Sequence, residues 1–62
     1  MINEVVAKAR DRNARICRGA ARAHDPDSYW GRRFTKEAEG WEAAAARARA
    51  GDLTPFIPGN ET

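Results

Sequence analysis

The groups in this chain that could bind a metal or attack a substrate are few, and they are poorly spaced for either task. Cys17 and His24 are the only soft ligands, whereas a structural zinc site needs four donors in one tetrahedron. Asp25 and Asp27 beside His24 are already explained by turn chemistry. The remaining hydroxyls and carboxylates form no triad and no carboxylate pair that their spacing supports. A two-helix chain also lacks a pocket able to keep water away from a reaction. No enzyme activity, no metal and no cofactor are expected.

What remains is recognition chemistry. Trp30, Phe34 and Trp41 recur at helical spacing, and Tyr29 stands beside the first of them. Trp and Tyr dominate interface hot spots. Spacing first reads Trp30, Phe34 and Trp41 as core packed against Ile2, Val6 and Ile16, with Tyr29 turned outward and open to contact. Asn13 interrupts the apolar stripe of the first helix. In a coiled-coil seam one such polar residue sets register and oligomeric state; otherwise it is a half-exposed boundary residue beside Arg10. The candidates for a protein-binding or dimer interface are Val6, Asn13, Ile16, Tyr29, Trp30, Phe34, Trp41 and Phe56.

Lys8, Arg12, Arg15 and Arg22 are the candidates for nucleic-acid binding, because cations spread over four helical turns could follow a phosphate backbone. Glu4 and Asp11 fall on the same face and dilute its field. No aromatic or Gly-rich element accompanies it, so a solvated charged face is the plainer account. Cys17, at the edge of the apolar stripe, reads as a small buried hydrophobe.

These residues are carried by two amphipathic segments. Ile2, Val6, Ala9, Asn13, Ile16, Ala20 and Ala23 recur at alternating steps of four and three, widened by Val5 and Cys17, as one face of a helix does. That helix should end near His24. Asp25-Pro26 is a restart signal, with Asp as N-cap and Pro at the first helical position. A second helix then runs from about Pro26 or Ser28 to Ala50, with Trp30, Phe34, Ala38, Trp41, Ala44, Ala45 and Ala48 on one face. Gly31 and Gly40 weaken it by roughly 1 kcal/mol each relative to Ala. It is expected to run unbroken or merely kinked, with a break near Thr35 or Gly40 as the second reading. Gly51 is its stop.

Residues 1–51 thus form an antiparallel helical hairpin, an all-α fold, and residues 52–62 an extended tail punctuated by Pro55 and Pro58. Leu53, Phe56 and Ile57 are too apolar for a plain linker, so the tail should fold back on the hairpin or dock elsewhere. A chain of 62 residues with one cysteine has no disulfide of its own, and domains this small are marginal alone. A homodimer forming a helical bundle supplies the missing burial.

The charge of +2 hides an asymmetry: residues 1–24 carry six Lys/Arg against two acids, residues 25–62 five against seven. No apolar run approaches the ~20 residues of a membrane span, and no signal-peptide core is present. With a lone thiol, this suits a reducing cytoplasm. The expected function is non-enzymatic: an adaptor or inhibitor that occupies a larger protein's surface. Small Ala- and Arg-rich chains of this kind are common among bacterial and phage accessory proteins. The competing expectation is a basic, nucleic-acid-binding or transcription-modulating dimer.

Overall fold

Two helices of equal length pack side by side in the computed structural model, which describes residues 2–57. Helix α1 spans Ile2–Arg22 and α2 spans Tyr29–Arg49, each of 21 residues. There is no strand among the described residues. Pro58 and the end of the tail beyond it lie outside them.

The turn differs from expectation in one respect. Ser28, not Asp25, is the N-cap of α2: its hydroxyl accepts from the Gly31 amide at 3.1 Å. Asp25 works one step earlier. Its carboxylate accepts from the Asp27 amide at 2.9 Å, and its carbonyl accepts from both the Ser28 amide (2.9 Å) and the Ser28 hydroxyl (2.6 Å). Pro26 therefore sits in a tight turn instead of opening the helix. At the other end Gly51, at φ 100°, closes α2 in a Schellman motif. Its amide donates to the Ala48 carbonyl and that of Asp52 to the Arg47 carbonyl, at 3.0 and 2.8 Å.

α2 passes through Gly31 and Gly40 without interruption. The two glycines are there for close approach. A Cβ on Gly31 would strike the Asp25 carbonyl oxygen, and one on Gly40 would strike the Phe56 ring.

The seam between the helices corrects the apolar reading of α1. Ala7 and Ala14 on α1 face Gly31, Ala38 and Ala45 on α2, and all five are buried. Both sets repeat every seven residues, which keeps one face in register with a neighbouring helix. Small side chains let the two backbones approach closely. The stripe through Ile2, Ala9 and Ile16 lies nearly half a turn away, since Ala9 and Ile16 each follow a seam alanine by two residues at roughly 100° per residue. Ile2 and Ile16 are accordingly 70% and 61% exposed. Ala44 and Ala48 complete a core made of alanine alone, beside the aliphatic stem of Arg10.

The seam's flanks also repeat in sevens. On one, Glu4, Asp11 and Arg18 of α1 meet Glu42 and Arg49 of α2. Arg18 grips Glu42 with two bonds of 2.6 and 2.8 Å, and Arg49 reaches Asp11 at 2.7 Å and Glu4 at 3.3 Å. The hydrogen bonds from Arg18 hold the Glu42 carboxyl below its ordinary pKa. A depressed carboxylate adds stability at neutral pH that is lost as pH falls through its folded-state value.

Candidate protein-binding surface

With alanine filling the seam, the large apolar side chains have nowhere to go but the periphery. The molecule measures 38 × 22 × 12 Å, and its smallest dimension is about one helix diameter. Both broad faces of the helix pair therefore meet solvent. Ile2, Val5, Ala9 and Ile16 form an exposed stripe on α1, while Val6, Asn13, Cys17 and Ala20 are half-buried along its inner border. Asn13 thus occupies the boundary of the stripe. Burial raises the Cys17 thiol pKa, with a further push from Glu37, so little reactive thiolate forms there.

On the flank of the seam opposite Glu4 and Asp11, Arg10 is satisfied by main-chain oxygens. It is 7% exposed, and its guanidinium donates to three backbone carbonyls: Ala44 at 2.9 Å, Leu53 at 3.2 Å and Thr54 at 3.1 Å. In the sequence Arg10 stands only as a charged neighbour of Asn13. The available signal was its spacing of seven from Asn3 and Cys17, directly beside the Ala7–Ala14 row. Asp52 steadies the same bend by accepting from the Thr54 hydroxyl (2.6 Å) and amide (3.0 Å), and those bonds hold its carboxyl below the usual pKa.

The tail held in this way folds back along the hairpin. Phe56 lies over Gly40 and meets Trp41 edge to face, with ring centroids 4.9 Å apart. Leu53 and Ile57 stay in water. Trp41 is half-buried against the tail, and the core expected between it and Ile2, Val6 and Ile16 does not form. Truncation after Asp52 should lower the melting temperature by roughly 10 °C, since charge-assisted bonds contribute ~1.5–3 kcal/mol and aromatic pairs ~0.5–1.5. Trp41→Ala should act similarly, and the combined variant should fall short of the sum because both changes delete one ring contact. Calorimetry on the three chains checks this. Unchanged melting with lost target binding would make the tail a docking strand instead.

The remaining aromatics gather at the turn. Trp30 is 51% and Tyr29 59% exposed, so Trp30 is outside the core and Tyr29 points outward as its spacing implied. Their rings meet edge to face at 5.0 Å; Phe34 lies 6.0 Å from Trp30 and stacks on His24 at 5.8 Å. Arg32, Arg33 and Lys36 line a shallow cleft with Tyr29.

Lys8, Arg12, Arg15 and Arg22 are all exposed on α1 and make no ion pair among the described residues. Glu4 and Asp11, read as diluting that face, are instead drawn to Arg49. No cluster of three potential metal ligands occurs among the described residues, and no helix is long and apolar enough to cross a membrane. In comparisons with known proteins, no family model, no curated protein and no solved structure matches this chain.

Proposed function

We propose that this chain is a non-enzymatic helical binding module of the cytoplasm, an adaptor or inhibitor that docks on a larger protein. In this reading it works as a homodimer whose hairpins join into a four-helix bundle, in the manner of a bacterial or phage accessory protein. One observation carries the reading: the core is alanine, while Ile2, Val5, Ile16, Tyr29 and Trp30 are left in water. Apolar area removed from water contributes about 25 cal/mol per Å², so these side chains hold the larger share of burial still to be gained. The α1 stripe serves the second copy, and the aromatic patch at the turn serves the target.

A second reading, nucleic-acid binding, is favoured by Lys8, Arg12, Arg15 and Arg22 of α1, which make no ion pair among the described residues. Four phosphate contacts predict a salt slope of about −3.6, so affinity would fall roughly 150-fold between 50 and 200 mM salt. The immobilised protein and a Tyr29→Ala/Trp30→Ala variant, exposed to lysate of the encoding organism, separate the two. A protein retained by the parent at high salt and lost from the variant supports the module. Retention of nucleic acid alone, released by salt and indifferent to the variant, overturns it.

A further inference from the structure

We infer that the patch formed by Tyr29, Trp30, Arg32, Arg33 and Lys36 receives an acidic segment of a partner protein. The inference rests on the binding-module reading and adds to it the partner's chemistry. Residues 29–36 carry three cations and no acid. Elsewhere on the hairpin, cations beside the seam and at the end of α2 are matched: Arg18 with Glu42, Arg49 with Glu4 and Asp11, Arg47 with Asp52. Here only Arg33 finds a carboxylate, Glu37 at 3.1 Å. Arg32 and Lys36, one helical turn apart and both exposed, make no ion pair among the described residues.

The cations and the Tyr29 ring border one hollow, and Trp30 adjoins it through its edge-to-face contact with Tyr29. A shallow cleft of about 270 Å³ is lined by Tyr29, Arg32, Arg33 and Lys36. Arg33 is oriented over it by Glu37 and by a long bond of 3.4 Å from Nη1 to the Tyr29 hydroxyl. Trp30 packs between Tyr29 and Phe34, which reduces the rotamer freedom it has to lose on binding. Trp, Tyr and Arg are the residue types that concentrate binding energy. Carboxylates placed against Arg32 and Lys36, with an apolar side chain against the rings, would satisfy both halves of the patch at once.

Other occupants fit less well. A second copy of this patch would set its own cations against Arg32 and Lys36. A nucleic acid would find only two unpaired cations here, against four on the outer face of α1. The edge-to-face rings, 81° apart, also present no common platform on which successive bases stack.

The test uses the whole protein and three labelled probes: a short helical glutamate–leucine peptide, its lysine–leucine counterpart, and oligodeoxythymidine. Fluorescence anisotropy gives the affinities. The parent should bind the glutamate peptide and not the lysine one. Trp30→Ala and Arg32→Glu/Lys36→Glu should each weaken that binding about tenfold or more, while Lys8→Glu/Arg12→Glu leaves it unchanged. Circular dichroism verifies that helicity persists; the charge reversals lie at exposed positions and keep the test valid if Trp30→Ala unfolds. No binding below about 1 mM, equal binding of both peptides, or indifference to the charge reversal overturns the proposal. So does binding of the oligonucleotide alone. If lysate capture still depends on Trp30 while the glutamate peptide fails, the module stands and only its acidic preference falls.

Discussion

Gly31→Ala is expected to lower the melting temperature by about 10 °C or more, although alanine is the better helix former. At an open helical position this change stabilises by roughly 1 kcal/mol. At Gly31 the new Cβ would collide with the Asp25 carbonyl oxygen and lie 3.0 Å from its carbon, both main-chain atoms that cannot swing away. That carbonyl accepts two bonds from Ser28, the N-cap of α2. Relieving the clash therefore disturbs the cap as well. Overpacking costs ~1–3 kcal/mol and a lost cap ~1, which outweighs the gain in propensity. At 4–8 °C per kcal/mol for so small a domain, the net loss is readily seen by thermal circular dichroism. Gly19→Ala is the matched control: nothing lies within 4 Å of its Cβ, so it should raise the melting temperature. If both variants melt above the parent, the turn does not rest on Gly31.

Light scattering coupled to size exclusion should return about twice the 6.9 kDa chain mass. The exposed side chains Ile2, Val5 and Ile16 share one face of α1 and have no cover among the described residues. Burying each fully is worth ~1.5–3 kcal/mol, which is comparable to the marginal stability of a domain this size. Val5→Lys/Ile16→Lys should return the mass of one chain, with the melting point of the parent rising with concentration and that of the variant not. A parent that runs as a single chain and melts cooperatively at a concentration-independent temperature would remove the dimer from the proposal.

The hairpin, its short turn and the Gly51 stop could be read from the sequence because they depend on local chemistry, periodicity and the placement of Pro and Gly, although the cap of α2 falls on Ser28 and not on Asp25. The side of α1 that faces α2 could not be read. Hydrophobicity weights Ile2 and Ile16 above Ala7 and Ala14, yet the seam takes the smallest residues, with Val6 packing at the edge of the alanine core. The glycines of α2 misled for a related reason. Their cost to the helix is visible locally, whereas the objects they admit, the Asp25 carbonyl and the Phe56 ring, arrive from outside the helix. Of the candidate surface, the outward turn of Tyr29 and the return of the tail follow from spacing and composition. The role of Arg10 does not, because its acceptors are carbonyls 34 to 44 residues away.

Arg10 holds the tail by oxygen atoms that every amino acid carries. The grip is therefore indifferent to which side chain stands at Leu53, whereas Thr54 also gives its hydroxyl to Asp52 and the Phe56 ring must match the notch at Gly40. A lineage could exchange the outward-facing residues of this strap, altering what the molecule shows to its surroundings, without loosening the strap itself. The hairpin would then serve as a fixed frame carrying a freely rewritable label.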